Sequence, residues 1–116
     1  MKNRPFHQRL AFALAGIATA WRRERSLRVQ SAVAVVVLLA LVLLRAPVLW
    51  WAVVVLAIAI VITAELFNSA LEALIDHLHP DQHPEVGALK DMAAGAVLVS
   101  SIGAAVVGAL CIWSTF

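Results

Sequence analysis

Three stretches without a charged side chain limit what this chain can fold into: 16 residues between Arg28 and Arg45, 19 between Arg45 and Glu65, and 25 after Asp91. About 20 apolar residues in a helix cross a hydrocarbon core of roughly 30 Å, and a chain in lipid must satisfy its backbone hydrogen bonds internally. Each stretch therefore reads as a spanning helix. Hydrophobic residues make up 63% of the chain and charged residues only 14%, which excludes an ordinary soluble domain. The reading is one membrane-embedded, all-α domain over 1–116, with spans at 28–45, 48–77 and 91–113. The first span is short, so Arg28 and Arg45 snorkel to opposite interfaces and tilt or thinning absorbs the rest. A cleaved signal peptide is not expected, because the first long apolar run begins late and lacks a cleavage-like end.

Seven of the nine Lys and Arg residues lie between Lys2 and Arg28, whereas the connection between the first two spans holds only Arg45. That asymmetry puts the N-terminus in the cytoplasm. Three crossings then place Arg45-Ala46-Pro47 and Phe116 outside, and His77 to Asp91 inside. The basic face suits anionic headgroups, and no basic and aromatic pattern points to nucleic acid. Over 4–25, Phe6, Leu10, Leu14, Ile17 and Trp21 fall within about 80° on a helical wheel, which predicts an amphipathic helix lying in the interface.

Glu65, Asn68, Glu72 and Asp76 also fall within about 80° of one another, as one polar stripe on the end of the second span. Acids beside lipid are expensive unless they have a function. From Ala46 to Ala64 the helix covers about 28 Å, so Glu65 arrives at the cytoplasmic interface and the other three continue outward. Such a stripe can hold a divalent metal and move a proton, the two needs of phosphoryl transfer from Mg-ATP. Glu24 and Lys90-Asp91 stand at the same level on the neighbouring segments.

Other candidates carry less. His77, His79 and His83, with Asp81 and Glu85, lie in a Pro-containing segment without fixed helical spacing, which reads as a solvated loop rather than a zinc site. Cys111 is alone in an apolar helix and supports neither a disulfide nor a thiol nucleophile. Ala96, Ser100, Ala104 and Gly108 recur every four residues, a small-residue stripe that permits close helix packing within or between subunits. No P-loop, kinase-type Gly-rich loop or dinucleotide fingerprint is present, so a nucleotide must be held by charges, metal and helix ends.

The runs Glu65-Leu-Phe-Asn-Ser-Ala-Leu-Glu72-Ala-Leu-Ile-Asp76 and Gly87-Ala-Leu-Lys90-Asp91-Met-Ala-Ala-Gly-Ala-Val-Leu98, with Glu24 and Arg28 upstream, closely resemble the prokaryotic diacylglycerol kinase family. The likeness runs from Gly16 and Trp21 into the third span. It implies an interfacial helix plus three spanning helices, assembled as a homotrimer with shared active sites in the bacterial plasma membrane. By matching position, Glu65 resembles the base that takes the lipid hydroxyl proton, and Glu24 and Glu72 resemble the acids that hold Mg²⁺. Lys90 looks like the partner of the ATP phosphates, and Asn68 and Asp91 like active-site polar residues. Asp76 and Arg28 look like supporting polar groups, while His83 and Gly87 fall in the family's nucleotide-facing loop.

The family has two branches. Lys90-Asp91-Met92 resembles the branch that phosphorylates diacylglycerol, the substrate adopted here. The short outer turn and Glu24-Arg-Ser-Leu-Arg28-Val-Gln30 partly resemble the undecaprenol branch, which prefers Asn and His where Ser26 and Gln30 stand. Two unrelated functions compete. A small proton-coupled transporter needs an acid near the midplane, whereas Glu65 falls at the membrane edge. A non-enzymatic membrane adaptor would leave the acids dispensable.

Overall fold

The computed structural model describes residues 3–81 and 83–116. Four helices follow one another: α1 (Phe6–Arg23), α2 (Arg25–Leu43), α3 (Val48–Leu78) and α4 (Pro84–Thr115). The last three are long and apolar enough to cross a membrane, and the chain is a multi-pass membrane protein. The described residues contain no strand.

Helix α1 opens at Pro5, whose φ of −57° is already helical and whose carbonyl accepts from Gln8 and Arg9, each at 3.1 Å. Arg22 and Arg23 occupy its last turn, the end that favours cations. A single residue, Glu24, then turns the chain into α2 by adopting extended angles, φ −110° and ψ 108°. The guanidinium of Arg28 closes this joint. Its Nη1 donates to the carbonyls of Trp21 at 2.5 Å and Arg22 at 3.2 Å, two acceptors that the end of a helix leaves without partners.

At the other end of α2, the Arg45 N–H donates to Val42 and the Ala46 N–H to Leu41, a pair of bonds that ends a helix with one left-handed residue. That residue is Arg45, at φ 52°. Pro47 follows and starts α3. A tight turn holds the adjoining ends of α2 and α3 level, yet α3 has 31 residues against 19 in α2. At 1.5 Å per residue α3 is longer by about 18 Å, so its far end overhangs the start of α2.

Helix α4 returns antiparallel along this overhang and forms the most extensive contact in the fold with α3. It starts at Pro84, so Glu85 and Gly87 lie on its first two turns rather than in a loop, with Lys90 just after them. The reason is local: His83 caps the helix, Pro84 suits its first position, and Glu85 adds an acid to its first turn.

Near the α2–α3 turn, Leu41, Val54 and Cys111 form a small core flanked by Trp50 and Trp51. Few other side chains are buried, because lipid replaces water around the spans and side-chain packing takes over from hydrophobic driving force. Away from this core the backbones of α2 and α4 stand apart, each packed on α3. An apolar groove of about 250 Å³ lies between them, lined among others by Ala34, Ile62, Ala104 and Gly108. Gln30 Nε2 donates to Ser101 Oγ across it, at 3.5 Å. The small-residue stripe is split by this arrangement: Ala104 and Gly108 face the groove while Ala96 is exposed. A Cβ built on Gly108 meets nothing within 4 Å, so the stripe brings about no close approach within the chain at that point.

The left-handed Arg45 generates a stability prediction. Arg45→Gly and Arg45→Ala remove the same charge, but a Cβ in this conformation costs about 1 kcal/mol. Reversible unfolding in micelles should find the glycine variant the more stable by that amount. Equal stabilities would show that the turn does not need this φ.

Candidate functional site

Exposure rises along the polar stripe of α3. Glu65 is 3% exposed, Asn68 and Glu72 are half-buried, and Asp76 is exposed. The gradient follows from the overhang, since Glu65 still lies beside α2 whereas Glu72 and Asp76 lie beyond its first residue.

A buried carboxyl group needs donors or a cation. For Glu65 the partner is a hydroxyl from the neighbouring helix: Ser26 Oγ donates to Glu65 Oε2 at 3.0 Å. Among the described residues no cation pairs with it, the ion pair found there being Lys90 with Asp76, at 2.5 Å. One turn on, Asn68 keeps Oδ1 buried without a hydrogen-bond partner. Such an oxygen costs free energy unless a ligand meets it.

Glu24 is half-buried at the α1–α2 joint, and it spends no side-chain bond on capping α2. It lines a cavity of about 420 Å³ where the end of α1 crosses α3, together with Thr19, Arg23, Leu66 and Ser69. Among the described residues no three or more His, Cys, Asp or Glu side chains gather as a metal-binding group. By donor type, the carboxylates of Glu24 and Glu72 and the open Oδ1 of Asn68 are hard oxygens, although neither Asn68 nor Glu72 lines the cavity at Glu24. Two carboxylates, water and substrate phosphates are the usual surroundings of Mg²⁺, so these residues fit that ion.

At the α3–α4 turn, a cavity of about 480 Å³ is lined among others by Asp76, His79, Asp81, His83, Gly87 and Lys90. The fold thus brings together Asp76, His83, Gly87 and Lys90, four of the residues given site roles by the resemblance. His83 accepts from the Glu85 N–H through Nδ1 at 3.1 Å, which leaves Nε2 as the ring's donor. A Cβ at Gly87 would meet nothing within 4 Å, so the backbone there stands open to the cavity. Asp91 is exposed beside Lys90. Arg28 lies apart from these groups and serves the α1–α2 joint.

Sequence reasoning passed over Ser26. A signal existed: Ser26 and Glu65 are equally far, in residues, from the Arg45–Ala46 turn, and an antiparallel pair brings such positions to one level.

A match to the family described as prokaryotic diacylglycerol kinase covers residues 11–112. The chain is 36% identical over 98 residues to the diacylglycerol kinase of Synechocystis sp., which covers 84% of this chain and 56% of that longer protein. Identity to the diacylglycerol kinase of Escherichia coli is 31% over 108 residues, covering 90% of this chain and 86% of the relative. The undecaprenol kinase of Bacillus subtilis is 32% identical over 105 residues, with coverage of 90% and 85%.

Proposed function

The chain belongs to the prokaryotic diacylglycerol kinase family, and from that premise we propose that it transfers the γ-phosphoryl group of ATP to membrane diacylglycerol, yielding phosphatidic acid and ADP. The observation that carries this reading is the exposure gradient on α3: a buried Glu65 at the apolar end and an exposed Asp76 at the polar end of one stripe. A lipid alcohol reaches the first from the bilayer, and a soluble nucleotide reaches the second from the cytosol.

In this mechanism Glu65 accepts the hydroxyl proton while the alcohol oxygen forms its bond to the γ-phosphorus and the bond to the β-phosphate oxygen breaks. Lys90 leaves Asp76 for the phosphates, an exchange that an exposed ion pair permits at little cost. The Nε2 of His83 and the open backbone at Gly87 receive the nucleotide, with Asp91 beside them. Glu24, Glu72 and the Asn68 Oδ1 would hold Mg²⁺, which when bound offsets the negative charge of the phosphates. The apolar groove between α2 and α4 ends at Gln30 and Ile62, one turn before Glu65, and receives a hydrocarbon chain of the substrate.

The same reading puts the protein in the bacterial plasma membrane with its N-terminus cytoplasmic. The apolar residues of α1, exposed from Phe6 to Trp21, rest in the headgroup layer. It assembles as a homo-oligomer, since three thin spans cannot enclose a lipid headgroup and a nucleotide, and the family resemblance makes that oligomer a trimer. Undecaprenol is the second substrate to test, because the undecaprenol kinase relative is as similar to this chain as the E. coli diacylglycerol kinase.

The test is transfer of γ-phosphate label to extracted lipid in a folded bilayer or micellar preparation. Diacylglycerol should become labelled, and chelation of Mg²⁺ should abolish the transfer. Label on undecaprenol alone would change the substrate, and no label on either alcohol would end the kinase reading.

Division of labour along the stripe is a separate expectation. Glu65→Gln should lower turnover about 10²–10⁴-fold, the usual cost of losing a general base, with nucleotide binding kept. Glu72→Gln should weaken Mg-ATP binding as well. Equal binding losses in the two variants would contradict the assigned roles.

A further inference from the structure

Glu65 has four lone-pair sites on two oxygens, and the terminal torsion of a glutamate is broad, so burial alone does not fix the plane of its carboxyl group. One bond does: Ser26 Oγ to Oε2, 3.0 Å long and spanning 39 residues of sequence between α2 and α3. Ser26 is the second residue of α2, where unpaired N–H groups and the positive end of the helix dipole favour a nearby carboxylate. Glu65 is 3% exposed while Ser26 is exposed, so the hydroxyl stands at the mouth of the buried acid.

We propose that Ser26 is a positioning residue for the phosphoryl transfer: its hydroxyl holds Oε2 of Glu65 and leaves Oε1 to take the proton of the lipid alcohol. The inference rests on the reading of Glu65 as general base. A base must lie about 2.6–3.2 Å from the proton's parent oxygen with a lone pair directed at it. With Oε2 occupied, one oxygen remains and its direction is set by the contact between two helices. During transfer the alcohol O–H bond breaks, its hydrogen passes to Oε1, and the electron pair left on oxygen forms the new O–P bond as ADP departs. Ser26 loses no proton; it donates the same hydrogen bond before and after the step.

The alternative is a bond that ties α2 to α3 and nothing more, so the experiment reads kinetics and stability together on the full-length protein in bilayers. Ser26→Ala should lower kcat roughly tenfold to a hundredfold, the effect of one hydrogen bond to a charged group, with KM for Mg-ATP unchanged. Ser26→Thr, which keeps the hydroxyl, should restore most of the turnover. In a Glu65→Gln background, Ser26→Ala should cause no further loss, because residues that act as a unit are not additive. Ser26→Cys, close in size but a weak donor, carries the same test if the alanine variant does not fold.

Normal kcat in Ser26→Ala or Ser26→Cys would overturn the proposal. So would a threonine variant as slow as the alanine one, or a loss of turnover matched by a loss of melting temperature. If Glu65→Gln keeps its turnover, the base assignment itself fails; an inactive Glu65→Gln beside a normal Ser26→Ala overturns only the role of Ser26.

Discussion

A carboxyl group buried at the edge of an apolar bundle, with a hydroxyl instead of a cation for a partner, is the constraint on which the site depends. A cation there would occupy the carboxylate with an ion pair. Full exposure would solvate it and separate it from lipid. The structure gives Glu65 one neutral donor, Ser26, and leaves it 3% exposed.

Helix lengths create that position. Because a tight turn holds α2 and α3 level at one end, the longer helix must overhang at the other, and α4 continues the overhang. Near the turn, the packed core of Leu41, Val54 and Cys111 keeps the bundle closed. At the far end α4 stays packed on α3, the chain reverses at Glu24, and α1 lies across α3. The stripe from Glu65 to Asp76 therefore runs from a buried end to an exposed one along a single helix.

The three spans and the polar stripe were legible in the sequence because both rest on local pattern: charge-free length and helical periodicity. The pairing of Lys90 with Asp76 and the Ser26 bond were not, since they depend on which helix faces which. Glu85 and Gly87 were assigned to a loop because His-Pro-Asp-Gln-His-Pro reads as a breaker, whereas the second Pro begins a helix capped by His83. The small-residue stripe of α4 was also only half informative. Its spacing says that close packing is possible, but Gly108 finds open space within the chain. Arg28 is another case, a conspicuous charge whose guanidinium ends α1 rather than joining the acids.

The central claim is that Glu65 sits where lipid gives way to cytosol, and depth along α3 can be measured directly. Nitroxide labels at the exposed positions Leu56, Ile60, Phe67, Leu71, Leu74 and Leu78, in a Cys111→Ser background in bilayers, report collisions with oxygen, which prefers lipid, and with a nickel chelate, which prefers water. Oxygen should dominate at Leu56 and Ile60, nickel at Leu74 and Leu78, and the two should cross near Phe67. A crossing beyond Leu78 would put Glu65 deep in the membrane, and one before Leu56 would put it in water; either result would contradict the account.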